Sequence, residues 1–367
     1  MRTTEVGIPF PGDTGKWNAI TDVAGVEVGY ETIIEGDGPL VIGEGPVQTG
    51  VTAIFPKGKE APLSPVLAGV HSFNGNGVMT GTQWIEDGGY FTSPIVLTNS
   101  HGVGIAHHAT TKWMFERHRE AYTKEHLWSM PVIAETYDGV TNDIHGMHVT
   151  EEHVFRALQR AASGPVAEGN VGGGTGMITY DFKGGSGTSS RIVTVDGKTY
   201  TVGVFVQSNF GRRPWLQIAG VPVGKEMPKG VVKEDDRGSI IVIIATDAPL
   251  LPHQLRRLAK RATLGIARTG TVGGNGSGDI FLAFSTANEQ EVPQVASSHQ
   301  TYRAINDEHC DPLYEGVVWA TEEAIINAMT SGESMASVKP EGMIPAINLG
   351  KLREVMKKYN RLNGGGE

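Results

Sequence analysis

Residues 239–245, Ser-Ile-Ile-Val-Ile-Ile-Ala, constrain the fold more than any other stretch of the chain. Their β-branched run is apolar on both faces, which is the pattern of a fully buried strand. Immediately before it lies Lys233-Glu234-Asp235-Asp236-Arg237, a solvated segment by its charge. Gly238 and Ser239 stand on the boundary. Glycine tolerates a strained backbone, and a serine hydroxyl becomes a nucleophile when a base stands near. Taken alone, the stretch also reads as a plain loop that ends in a small residue before a strand.

The bulk properties narrow the function. Hydrophobic residues make up 39% of the chain and charged residues 19%, the balance of a water-soluble globular protein. A net charge of −9 argues against a nucleic-acid surface and against an anionic membrane. One cysteine, Cys310, allows no internal disulfide framework and fits a reducing compartment. The N-terminal residues lack the apolar core of a secretory signal, and no apolar run reaches the roughly 18 residues of a membrane span. These features predict a cytoplasmic protein. Length alone suggests about two domains, but no linker or low-complexity tract divides the chain, so a single domain over 1–367 is expected.

Periodicity lays out the elements. Strands are predicted within 23–34 and over 49–55, 66–70, 94–98, 130–134 and 280–284. Two more, 190–195 and 199–206, flank Asp196-Gly197, a hairpin signal. Helices are predicted over 79–87, 103–118, 151–163, 311–330 and 348–359, and one N-capped by Asp247 that runs through Ile266. Arg256, Arg257, Lys260 and Arg261 give that helix a solvated basic face. The Pro-, Gly- and charge-rich residues 221–237 are expected to form an exposed loop.

Several strand ends carry chemistry. Glu135 and Tyr137 follow an apolar strand, where side chains reach a site more readily than from a strand's middle. Glu135 can hold a cation and Tyr137 can donate a hydrogen bond; both also fit a solvent-facing turn. Asn209 ends the second hairpin strand and offers an amide, or simply a turn residue. Ser277 and Asp279 are two apart, so an extended backbone points both the same way. A hydroxyl beside a carboxylate can orient a proton; the same pair also caps turns. Residues 169–176 are glycine-rich but lack the ending of a P-loop and the spacing of a dinucleotide site. Asp143, His145 and His148 lack the helical spacing of a zinc motif. No metal or cofactor is expected.

Taken in order, longer stretches carry a resemblance. They are Asn18–Gly29, His71–Gly77, Ala134–Gly139, Gly169–Met177, Ser208–Gly211, Gly238–Ile241, Ala245–Gln254 and Asn275–Phe284. The chain resembles the self-processing aminopeptidases of the L-aminopeptidase/D-esterase (DmpA-like) and β-peptidyl aminopeptidase type. The resemblance implies an α/β (α+β) fold, a four-layer α-β-β-α sandwich like that of N-terminal-nucleophile hydrolases with different connectivity. It implies self-cleavage between Gly238 and Ser239 into fragments 1–238 and 239–367. Ser239 would then be the nucleophile, Ser277 and Asp279 the pair that assists it, Asn209 and Tyr137 the oxyanion site, and Glu135 the acid that binds a substrate's free amine. Some relatives carry the longer Glu where Asp279 stands. Short peptides, amides or esters are the implied substrates, and a homo-oligomer, often a tetramer of processed units, the implied assembly.

The chemistry agrees with that implication. Ser239 Oγ can attack the Gly238 carbonyl in an N→O acyl shift, and water then releases a new N-terminal serine. Its α-amine, with an ordinary pKa of about 7.7–8.0, can serve as a base; the Ser277–Asp279 pair is the other candidate. Two alternatives remain at this stage. One is a self-cleaving acyltransferase resembling the ornithine acetyltransferases, although these use Thr where this chain has Ser239. The other is an unprocessed, non-enzymatic binding protein.

Overall fold

The computed structural model describes residues 1–61, 63–125, 127–230 and 238–363. The charged run 233–237 therefore lies outside the described residues. Strands β1 (Glu27–Glu35), β2 (Val47–Phe55), β3 (Val66–Ser72), β4 (Tyr90–Phe91), β5 (Ile95–Asn99) and β6 (Val132–Thr136) come first in the chain. The short pair β7 (Ile178–Thr179) and β8 (Phe182–Lys183) follows. Then come β9 (Gly185–Val195), β10 (Lys198–Asn209), β11 (Ser239–Thr246), β12 (Asp279–Ser285) and a hairpin of β13 (Met335–Val338) and β14 (Glu341–Ile344).

Two sheets make the centre. One has the order β1-β2-β5-β6, the other β4-β3-β12-β11-β10-β9. Side-chain alternation along the strands sorts the core into three layers. In β11, Ile240, Val242 and Ile244 face the helices Pro252–Arg268 and Asp311–Thr330, where Leu255, Leu258, Val317 and Ile325 meet them. Ile241, Ile243 and Ala245 face the other way, against Ile54, Ile95, Leu97 and Ala134 of the second sheet. The second sheet turns Ala53, Phe55, Val96 and Ile133 outward onto the helices Val103–Arg117 and Glu151–Gln159. The order helix, sheet, sheet, helix is the expected four-layer sandwich. The central strand is buried at every position, as its two apolar faces predicted.

Some elements differ from expectation. Asp247 does not cap a helix: its Oδ1 accepts the Thr201 N–H at 2.7 Å, and the helix starts at Pro252, where Gln254 Oε1 accepts the Leu251 N–H. Residues 221–230 are not an exposed loop throughout. Val221 and Val223 are in the core, and a short helix spans Val223–Glu226. The first strand begins at Glu27; Val23 and Val26 ahead of it fill the inter-sheet core from a turn. The early short helix is Thr82–Gly88, shifted from 79–87. The glycine-rich run 169–176 is mostly buried and tied by backbone hydrogen bonds between Gly169 and Ser186 of β9. Among the described residues no helix is long and apolar enough to cross a membrane.

Candidate active site

The start of β11 fixes the site. Ser239 pairs with Asn209 across the antiparallel β10–β11 ladder. On its other side, β12 runs parallel and places Asp279 beside Ile240. Paired residues share a face. Ser239, in step with Ile241 and Ile243, therefore faces the second sheet together with Asn209. The buried Ser239 Oγ accepts the Gly278 N–H at 3.1 Å.

Gly238 has no room for a side chain. A Cβ there would stand 1.8 Å from the Asn209 carbonyl oxygen and 2.6 Å from Phe210 Cα. Gly278 is similarly confined, with a Cβ position 2.3 Å from the Asn76 carbonyl oxygen. Glycine at both places lets three stretches of backbone converge on the Ser239 hydroxyl.

Asn209 is locked by both ends of its amide. Its Oδ1 accepts the Ile178 N–H and its Nδ2 donates to the Tyr137 carbonyl, each at 2.8 Å. An N–H on one side and a carbonyl on the other leave one orientation for the amide. The second contact crosses from one sheet to the other. Nearby, Gln207 Nε2 makes two more cross-sheet bonds, to the Thr98 carbonyl and to Thr136 Oγ1.

Tyr137 reaches this cluster through its backbone carbonyl. Its ring is partly exposed, and its hydroxyl folds over Gly139 of its own turn. Burial, and then the Asp138 charge, push the phenol above its usual range, so it keeps the proton it would donate. Asp138 beneath it is buried, accepting from Thr49 Oγ1 at 2.6 Å and Asn142 Nδ2 at 3.0 Å. Burial raises its carboxyl to about 6 despite those bonds.

Ser277 and Asp279 do meet: Ser277 Oγ donates to Asp279 Oδ1 at 2.6 Å. The residue between them, Gly278, touches the Ser239 hydroxyl. Glu135 is buried and accepts the Val78 N–H at 2.9 Å and the Ser100 hydroxyl. Gly77 separates it from the serine: a Cβ on Gly77 would lie 3.3 Å from both Glu135 Oε1 and Gly278 Cα. A cavity of about 300 Å³ opens along this segment, lined by Ser72, Gly77, Val78 and Ile280 among others. The fold thus gathers Ser239, Asn209, Ser277, Asp279 and Glu135 at one end of the two sheets, and Tyr137 joins them through its backbone carbonyl.

Several partners were not singled out in the sequence. Ser100 and the Val78 N–H hold Glu135, and the Gly278 N–H holds Ser239. Asn74 and Asn76 lace the segment after β3 to the start of β12. His148 Nε2 lies 2.8 Å from Asp143 Oδ2. Among the described residues no group of His, Cys, Asp and Glu is arranged to hold a metal.

Residues 18–342 match peptidase family S58. The chain belongs to that family. It is 50% identical to a β-peptidyl aminopeptidase BapA from Sphingosinicella microcystinivorans, over 98% of this chain and 93% of the relative. A second β-peptidyl aminopeptidase BapA, from Sphingosinicella xenopeptidilytica, is 46% identical over 97% of this chain and 91% of the relative. Among solved structures, the L-aminopeptidase D-Ala-esterase/amidase of Ochrobactrum anthropi superposes with a TM-score of 0.94 at 53% identity, covering 98% of this chain and 99% of that one. It is described as a prototype of the serine aminopeptidases and a variant of the Ntn-hydrolase fold. This S58 member is accordingly a hydrolase, a serine aminopeptidase acting on peptides. The acyltransferase and binding-protein alternatives lose to that reading.

Proposed function

We propose that this aminopeptidase matures by cutting its own chain between Gly238 and Ser239, and that Ser239 is the nucleophile of both self-cleavage and substrate hydrolysis. The observation that carries the reading is the confinement of the Gly238–Ser239 junction against Asn209, with the Ser239 hydroxyl buried at the mouth of a rigid strand. Ser239 Oγ adds to the Gly238 carbonyl carbon, the C–N bond breaks, and the acyl group passes to oxygen. Water hydrolyses the ester, leaving Gly238 as a new C-terminus and Ser239 with a free α-amine. The fragments are 1–238 and 239–367, and together they form one unit of the domain.

In the mature enzyme the α-amine takes the Ser239 hydroxyl proton as Oγ attacks the substrate carbonyl. The hydrogen of Ser277 points to Asp279, so its oxygen is left to accept from the Ser239 end. Asn209 Nδ2 carries a second hydrogen beyond the one given to Tyr137, and this one, with the Tyr137 phenol, stabilises the oxyanion. Glu135, oriented by Val78 and Ser100, binds the substrate's ammonium group. An acid in that place makes the enzyme an exopeptidase, because a blocked amine loses its anchor. Substrates are short peptides, amides or esters with a free amine, in line with the β-peptidyl and L-aminoacyl activities named for the relatives. Assembly as a homo-oligomer and residence in the cytoplasm belong to the same proposal; the single cysteine, which fits a reducing compartment, supports the second.

Ser239→Ala tests the reading. It should yield one uncleaved chain with no turnover. Two fragments from that variant on a denaturing gel would refute it.

A further inference from the structure

The segment between β3 and the helix Thr82–Gly88 touches both halves of the site. At one end the Val78 N–H bonds Glu135. At the other, Asn74 addresses Asp279 through side chain and backbone together. Its Nδ2 donates to Asp279 Oδ2 at 3.0 Å and to the Gly274 carbonyl at 3.2 Å. Its carbonyl accepts the Asp279 N–H at 3.1 Å, and the neighbouring Phe73 N–H donates to the Asp279 carbonyl at 2.9 Å. Asn76 continues the contact: its N–H reaches the Ser277 carbonyl at 3.3 Å and its Nδ2 the Gly276 carbonyl at 2.8 Å.

We propose that Asn74 is a positioning residue for hydrolysis: it fixes the rotation of the Asp279 carboxylate so that Oδ1 receives the Ser277 hydroxyl. The inference rests on the reading that the Ser277–Asp279 pair serves Ser239. A carboxylate on a two-bond side chain turns about its last bond unless both oxygens are held. Here Oδ2 is bonded by Asn74 and Oδ1 by Ser277. Asp is one methylene shorter than Glu, so its oxygens have less reach to recover a lost partner. The amide suits the task because it donates without adding charge beside a carboxylate. Both donor bonds leave from one nitrogen, so the Gly274 carbonyl in turn fixes the Asn74 amide.

The position is separable from substrate binding. Glu135 is held by Val78 and Ser100, and among the described residues the Asn74 side chain bonds to neither. Loss of the Asn74 amide therefore acts on the reaction step and not on the ammonium anchor.

The test is steady-state kinetics of purified Asn74→Asp and Asn74→Ala on an aminoacyl p-nitroanilide, with Asn76→Ala as a neighbour in the same loop. Asn74→Asp keeps the size of the side chain, removes both donated hydrogens and sets a negative charge against Asp279. Intact mass and thermal unfolding report maturation and folding. We expect kcat to fall about tenfold or more in both Asn74 variants with KM within about twofold of wild type, while Asn76→Ala keeps the wild-type kcat. Wild-type kcat in Asn74→Asp, or an equal loss in Asn76→Ala, would overturn the proposal. If Ser239→Ala still matures and turns over substrate, the reading beneath it fails instead; if that variant is dead and Asn74→Asp is normal, only the role of Asn74 fails.

Discussion

Asn209 and Ser239 stand directly opposite each other at the last rung of the β10–β11 ladder. The relationship places the proposed nucleophile beside the proposed oxyanion donor by strand pairing. A one-residue slip in the register of β11 would move Ser239 to the other face of the sheet and away from Asn209.

Asn209→Ala follows from that pairing. It removes the amide that the Ile178 N–H and the Tyr137 carbonyl hold in place. Loss of one preorganised oxyanion donor costs about 10²–10³ in kcat. Single-turnover kinetics should show acylation slowed to that extent, and a change of less than about threefold would remove the role.

Glu135→Gln keeps the shape of the side chain but not its charge. A charge-assisted hydrogen bond contributes about 1.5–3 kcal/mol, so kcat/KM for a free-amine substrate should drop about 10- to 100-fold. The loss should appear mostly in KM. N-acetylated and free-amine substrates compared on both enzymes check this, since the acetylated one should be nearly indifferent to the substitution.

The architecture was largely legible because its signals are local. The β-branched run 239–245 and the Asp-Gly between β9 and β10 each specify a strand or turn by themselves. Asp247 misled because an acid shortly before a run of helical spacing looks like a cap, whereas a backbone N–H on β10 claims it. Residues 221–226 misled because Pro and Gly suggest a loop, while Val221 and Val223 are apolar enough to be drawn into the core. In the site, the Ser277–Asp279 contact was visible from a spacing of two. The Asn74–Asp279 and Ser100–Glu135 bonds were not, since only the tertiary pairing of β12 with β3 and the end of β5 brings those partners together.

Gly238→Ala probes the junction itself. The added Cβ would stand 1.8 Å from a carbonyl oxygen of a central strand, which cannot retreat as a flexible side chain could. Maturation should slow by about tenfold or more, equivalent to about 1.4 kcal/mol or more in the barrier. Intact mass followed over time after synthesis measures it; maturation at the wild-type rate would show that the junction tolerates a side chain.

Asp138 sets a pH dependence of stability. Its carboxyl is raised from 3.8 to about 6, chiefly by burial. A group whose pKa is higher folded than unfolded stabilises the fold at pH values below its unfolded pKa, and that stabilisation is lost as pH rises through the folded pKa. Between about pH 4 and pH 6 its contribution should decline, by no more than about 3 kcal/mol. Asp138→Asn should remove that slope from a plot of Tm against pH, whatever it does to Tm at any single pH. An unchanged slope would show that Asp138 titrates alike in both states.

End-group sequencing of purified, catalytically active protein tests the central claim most directly. The account predicts two sequences in equal amount, one from the original N-terminus and one reading Ser-Ile-Ile-Val from Ser239. Active protein that yields only the original N-terminus would contradict it.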